Sequence, residues 1–318
     1  MNKKMLILML PLLCLTSCNE KKDVSTIDFS IYSPAGAPAL AIYQSIIDGK
    51  ATTTSDPKTV AAQLQNDDTN YDFCVFESAT ALKLIKAGKS NFTFAKLLTS
   101  GNLHLAGINK TSTDLPKVGD KIVYFGSGVT TDTIKYCFPE IFADSNKDNV
   151  FEPLASAALT AAVMQTGMYN NVNVDYVFTA EPVLFASQKA NENIIDLGNI
   201  NAFVSEKSSG KFDFVPQAAL FVKNSFLEEN KENYDAIIDN IEEQMNDAIN
   251  DPSKVKDAIN TYLLDETDQK EKFGFSSTVA YNIQKDNKNL FGVADSENDI
   301  NVATIKDYLS TINSTIVL

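Results

Sequence analysis

Apolar and polar positions alternate with a period of two from Ile27 to Tyr32, where Ile27, Phe29 and Ile31 share a face, and this predicts a strand. The small-residue run Ser33-Pro34-Ala35-Gly36-Ala37-Pro38 follows. Leu40, Tyr43, Ile46 and Ile47 then recur at helical spacing, with Pro38 in the first turn and Gly49 at the end. The same order returns in Tyr71 to Phe76, Glu77-Ser78 and a helix carrying Leu82 and Ile85, for which Ser78 is the expected N-cap. A third unit runs from Lys121 to Phe125, through Gly126-Ser127-Gly128-Val129-Thr130-Thr131, into a helix with Ile134 and Cys137. A fourth has an Ala-rich helix from about Leu154 to Met168, a strand from Val172 to Phe178, and the corner Thr179-Ala180-Glu181-Pro182. Strands alternating with helices predict an α/β chain with a mainly parallel sheet.

After Gln217 to Val222 the pattern turns to amphipathic helices. Ser225 and Glu228 have capping-box spacing, and Tyr234, Ile237, Ile238, Ile241 and Met245 line one face. From Asp251 onward the chain reads as helical and acidic, its Glu and Lys forming a solvated face.

The amino-terminal segment has a different character. Lys3 and Lys4 precede an apolar run from Met5 to Leu15, too short for a stable membrane span and ordered like a signal peptide. Leu15-Thr16-Ser17-Cys18 resembles the lipobox of bacterial lipoproteins. That resemblance implies removal of residues 1–17 and acylation of Cys18, with palmitate among the expected chains; an ordinary secretory signal is the alternative. Several acyl chains anchor stably, since each buried methylene adds about 0.8 kcal/mol. Residues 18–26 read as a polar tether, and the expected location is outside the cytoplasm, beside the membrane.

Composition narrows the chemistry. All 27 basic residues are lysine, Trp is absent, His104 is the single histidine, and the formal charge is -14. Bidentate guanidinium recognition is therefore impossible, and a nucleic-acid partner is not expected, because phosphate affinity needs clustered cations. One histidine cannot build a multi-histidine metal site, so no metal and no cofactor are expected. Cys74 and Cys137 sit in apolar segments and read as buried, inert thiols rather than a disulfide.

The small-residue loops between strand ends and helix starts would gather at one edge of the sheet, where α/β proteins bind ligands through free amides and helix N-termini. Gly126-Ser127-Gly128 starts like a dinucleotide fingerprint, but Thr131 replaces the third glycine. Glu77 and Glu181 admit two readings, an acid/base pair for glycoside cleavage or helix-start charges. No GxSxG, HExxH, Walker loop or CxxC occurs.

Taken in order, Ser33-Pro34-Ala35-Gly36-Ala37-Pro38-Ala39, Tyr71 to Ser78, Gly126-Ser127-Gly128, Thr179-Ala180-Glu181-Pro182 and Ala219 to Glu228 resemble the substrate-binding lipoproteins of ABC importers. The branch resembled is the one that binds nitrate, sulfonates and thiamine precursors. The resemblance implies a two-lobed type II periplasmic-binding-protein fold with a ligand cleft between lobes. It implies lobe one at 27–104 and 213–318 and lobe two at 105–212, with hinge strands near Leu103 to Gly107 and Val215 to Ala219. It also implies a monomeric protein without enzyme activity that captures a small molecule for a membrane permease. The implied contacts are Ser33, Gly36, Ala37, Phe76, Glu77 and Ser78 from one lobe and Ser127, Gly128, Thr130 and Glu181 from the other.

Without arginine, an amino-acid carboxylate clamp is disfavoured. Glu77 and Glu181 would suit a neutral or cationic heteroaromatic nutrient, of thiamine-precursor or flavin type, stacked by Phe76, Tyr32 or Tyr124. A sulfonate or nitrate binder is the alternative, and an enzyme on the same fold, such as a dehydratase of the menaquinone pathway, is a further one. Those dehydratases act in the cytoplasm, so the lipobox distinguishes them.

Overall fold

The computed structural model describes residues 22–108, 113–126, 128–285, 289–298 and 300–315. The signal segment, Cys18 and Ser127 lie outside the described residues. The first strand, β1 (Ile31–Pro34), pairs in parallel with β2 (Ala51–Thr54) and β3 (Phe73–Glu77). Between them run α1 (Ala37–Ala41), α2 (Tyr43–Ile47) and α3 (Pro57–Leu64). Ile27, Phe29 and Ile31 are all buried as their alternation requires, although strand pairing begins only at Ile31. The expected single helix after Pro38 is two short ones, broken at Ile42, whose φ of -123° and ψ of 29° are not helical. Helix α4 (Ser78–Lys86) and β4 (Phe92–Leu97) complete this stretch.

The chain then crosses to a second sheet. Its elements are β5 (Leu103–Gly107), β6 (Ile122–Val123), α5 (Val129–Cys137), α6 (Thr160–Thr166), a small hairpin of β7 (Met168–Tyr169) and β8 (Val172–Asn173), β9 (Tyr176–Ala180), α7 (Val183–Ala190), β10 (Ile195–Asn199) and α8 (Ile200–Lys207). It returns through β11 (Ala218–Lys223) to a helical end: α9 (Asn224–Glu229), α10 (Lys231–Asn250), α11 (Pro252–Tyr262), α12 (Glu266–Phe273), α13 (Ser277–Gln284) and α14 (Val302–Ile312). Helix α9 starts at Asn224 with no side-chain cap, so Ser225 is not its N-cap. On α10, Ile237, Ile241 and Met245 are fully buried, while Tyr234 and Ile238 are half-buried at the stripe's edge.

The larger sheet has the order β2-β1-β3-β11-β4 and the smaller β10-β5-β9-β6. Both are mixed, which corrects the expectation of a mainly parallel sheet. Helical crossovers deliver β1, β2 and β3 in parallel, whereas β11 runs antiparallel to β3 and β4, and β5 antiparallel to β9 and β10. Each of β5 and β11 arrives by an extended segment from the other sheet, so no right-handed helical connection dictates its direction. The result is two α/β lobes joined by two crossing segments.

One apolar core runs through the larger lobe and continues into the smaller one, with β3 and β11 at its centre. A second core of Ala106, Val123, Val163, Met164, Val177 and Leu184 fills the opposite face of the smaller sheet. Strand alternation divides β9 between them, Tyr176 and Phe178 facing the first core and Val177 the second. No helix among the described residues is long and apolar enough to cross a membrane.

Candidate ligand cleft between the lobes

The two crossing segments are laced together by hydrogen bonds. Leu98 N and Thr99 N both donate to Ala218 O, at 2.9 and 3.0 Å, and Ala218 N donates to Thr99 Oγ1 at 2.9 Å. Val215 N donates to Ser100 Oγ at 3.2 Å, and Asn102 N to Gln217 Oε1 at 2.9 Å. A cavity of about 240 Å³ lies on this junction. Thr99, Asn102, Leu103 and residues 215–218 form its base. The larger lobe contributes Pro34, Pro38, Pro57, Phe76 and Glu77, and the smaller lobe Val129 and Thr130 from the first turn of α5. Loops from both sheets thus meet over the crossing strands.

The structure brings Phe76, Glu77 and Thr130 to the cleft from among the residues singled out in the sequence. Glu77 is the N-cap of α4: its Oε1 accepts from Ala79 N at 3.2 Å and its Oε2 from Thr80 N at 2.7 Å. Burial raises its pKa, opposed by those amide bonds and by Lys83. The cap expected of Ser78 therefore belongs to Glu77, one residue earlier. Ser78 instead supports the returning segment, its amide donating to Gln217 O at 2.8 Å and its hydroxyl to Pro216 O at 3.3 Å.

Ser33, Gly36 and Ala37 belong to a loop whose prolines face the cleft, but they are not among its lining residues. Ser33 is fully buried and its hydroxyl donates to Pro34 O at 3.0 Å. The Gly36 amide donates to Phe273 O at 2.7 Å, which ties the loop to α12. Its φ of 94° is the left-handed region that glycine enters without strain. Gly128 is exposed just outside the cleft, with φ 63°. Tyr32 stacks on Tyr71 at 4.7 Å and Tyr124 packs edge-on against Phe142 at 5.6 Å; neither ring lines the cavity.

Glu181 is also not among the lining residues. It is 6% exposed and its Oε2 accepts from Phe185 N at 3.0 Å in the first turn of α7. Burial raises its pKa to about 6, against the pull of the Phe185 amide and of His104. His104 is completely buried on β5, with Nδ1 3.4 Å from Asp196 Oδ2 and Nε2 3.2 Å from Leu290 O. Burial alone would discharge the ring. The Asp196 carboxylate, then Glu181 and the Leu290 carbonyl, outweigh it and hold the His104 pKa above its ordinary value. Asp196 is correspondingly held below the usual carboxylate range by His104 and the Gly198 amide, in spite of its own burial. The lone histidine is thus buried against a partly exposed carboxylate beside the crossing segment. Among the described residues no group of three or more His, Cys, Asp or Glu side chains could hold a metal ion.

Sequence reasoning missed Pro34, Pro38, Pro57 and Pro216 as cleft residues, together with Thr99, Asn102 and Gln217. Along the sequence Pro38 reads as a helix start and Pro34 as part of a small-residue loop; only the convergence of segments from both lobes puts the four rings on one surface.

No protein-family model matches the chain, and no curated protein matches its sequence. Solved structures match its fold. An ABC transporter structure from Parabacteroides distasonis aligns with a TM-score of 0.64 at 13% identity, over 90% of this chain and 92% of that one. The periplasmic aliphatic sulphonate-binding protein SsuA from Escherichia coli gives 0.59 at 9% identity, over 89% and 84%. The periplasmic nitrate-binding protein NrtA from Synechocystis gives 0.54 at 11% identity, over 81% and 69%. The chain has the periplasmic-binding-protein fold, two α/β lobes with a cleft between them.

Proposed function

We propose that this chain is an extracytoplasmic solute-binding lipoprotein, anchored through Cys18, which holds a small molecule between its lobes and delivers it to the permease of an ABC importer as a monomer. The observation that carries this reading is the cavity at the crossing segments, lined from both lobes, in a fold shared with importer binding components. Such a cavity can be closed by rotation about the two segments, so that ligand and closure favour each other. The activity is binding and no bond chemistry is invoked.

A neutral or cationic heteroaromatic nutrient suits the walls best. Phe76 and the prolines present apolar faces to a ring, while Asn102, Gln217 and Thr130 would supply hydrogen bonds. Among the described lining residues there is no lysine, and the charged one is Glu77, which opposes an anion. At about 240 Å³ the cavity is below the roughly 300–1,000 Å³ of drug-sized sites, which favours a single-ring pyrimidine over a flavin.

Thermal unfolding with thiamine, its aminopyrimidine precursor, riboflavin, an alkanesulfonate and nitrate tests the reading. A ligand at 100 times its Kd adds about 2.7 kcal/mol. The pyrimidine should raise the midpoint, and Phe76→Ala should abolish the rise. A shift with nitrate or the sulfonate alone would replace the heteroaromatic ligand by an anion, and no shift with any compound would remove the importer reading.

A further inference from the structure

The chain reaches α14 from the larger lobe. Helix α13 packs on α11, and residues 290–294 then lie along the first crossing segment, where Ser100 N donates to Gly292 O at 2.6 Å and Ala294 N to Leu98 O at 2.9 Å. Helix α14 itself packs against α5 of the smaller lobe. The fully buried Tyr308 places its hydroxyl 2.8 Å from the equally buried Thr133 hydroxyl of α5. Its ring lies 5.3 Å from Phe212 and 5.7 Å from Phe214, and the adjacent Asp307 pairs with Lys211 at 2.9 Å.

These partners have one property in common. Helix α5 opens with Val129 and Thr130, and Phe214 precedes Val215; all three of Val129, Thr130 and Val215 line the cleft. One side chain therefore stands behind two stretches of cleft wall that come from distant parts of the chain. Helix α5 has only nine residues, well short of the roughly 12–15 at which an isolated helix becomes even marginal, so its order depends on what packs against it. The Thr133–Tyr308 hydroxyl pair is buried on both sides, and removing one partner strands the other without water to replace it.

We infer that Tyr308 is a positioning residue, through which α14 holds the cleft-lining turn of α5 in place against the returning segment. Its importance for ligand binding rests on the function proposed above, but its test uses no ligand, so the two fail independently.

The test is amide hydrogen exchange on the full chain with Tyr308→Phe, which keeps the ring, and Thr133→Val, which keeps the shape. Loss of this bond should speed exchange across Val129 to Cys137 by roughly 5- to 30-fold in either variant, with β3 and β11 unchanged. The double variant should exchange more slowly than either single, because each single strands one buried hydroxyl and the double removes both. Cys137 follows Thr133 by one turn on the same face and supplies a second readout. Burial pushes its thiol up to about 12, so its reaction with Ellman's reagent at pH 8 is slow and should accelerate in step with α5, while Cys74 in the core of β3 does not. Unchanged α5 exchange in both variants would overturn the inference. So would an equal acceleration of α5, β3, β11 and Cys74, which would mean general destabilisation rather than a local hold on the cleft wall.

Discussion

Replacing Glu181 by Gln should make the protein more stable at neutral pH and leave it nearly unchanged in acid. The carboxyl titrates near 6 in the folded chain against a reference of 4.5, raised by burial beneath α7. For an acid whose folded pKa is raised, the folded state binds more protons between the two values, so stability falls as pH rises from about 4.5 through about 6. A difference of about 1.5 units at 1.36 kcal/mol each sets the loss at about 2 kcal/mol above that window. Gln keeps an oxygen for the Phe185 amide and removes the charge. Urea unfolding followed by circular dichroism at pH 4.5, 5.5, 6.5 and 7.5 measures the effect, since the chain has no Trp to report. The variant's advantage should grow by about 2 kcal/mol between the lowest and highest pH. A difference that stays flat with pH would refute the assignment of a buried, reluctantly ionised Glu181.

Asp196→Asn removes the partly exposed carboxylate that faces the buried His104 and should cost about 1–3 kcal/mol at pH 5.5. In the unsubstituted protein that pair is worth most between the lowered Asp196 pKa and the raised His104 pKa. The Asp196 contribution fades as pH falls through its folded value, and that of His104 as pH rises through its own. The Asp196→Asn penalty should therefore shrink at pH 9, and an equal penalty at both pH values would argue against an ionic pair. Gly274→Ala combines a φ of 83° with a Cβ only 2.7 Å from the Gly36 amide nitrogen, whereas Gly88→Ala at φ 66° meets open space. Denaturant midpoints should place the Gly88 change near 1–2 kcal/mol and the Gly274 change at least about 1 kcal/mol beyond it, with equal losses ruling out the contact.

The sequence carried the apolar faces well, because burial follows side-chain period wherever the backbone hydrogen bonds happen to start. Ile27 and Phe29 are buried as alternation requires while lying outside any strand, and α10 presents Ile237, Ile241 and Met245 inward as spacing demands. Strand direction was not legible, since β5 and β11 enter their sheets from the opposite lobe and no local pattern records that. The cap of α4 shifted from Ser78 to Glu77 because a longer side chain, one residue earlier, reaches two amides at once. For the cleft, the loops were legible and the individual contacts much less so. Phe76, Glu77 and Thr130 reach it, whereas the Gly36 amide and the Glu181 carboxylate are occupied by α12 and α7. Whether a small-residue loop offers its amides to a cleft or to its own lobe depends on packing from helices far along the chain. The His104 and Asp196 pairing is of the same kind, created by the antiparallel register of β5 and β10.

Pro34, Pro38, Pro57 and Pro216 have a thermodynamic consequence beyond the apolar surface they offer. A pyrrolidine ring fixes φ and has little rotamer freedom to lose, so these parts of the wall are as ordered empty as they would be filled. The immobilisation of flexible side chains that commonly erodes affinity, about 0.5–1.5 kcal/mol for each, has little to act on at these positions. Binding in this cleft would then draw its entropic penalty mainly from the guest and from the relative rotation of the lobes. Its temperature dependence should reflect those two motions more than any local stiffening of the wall.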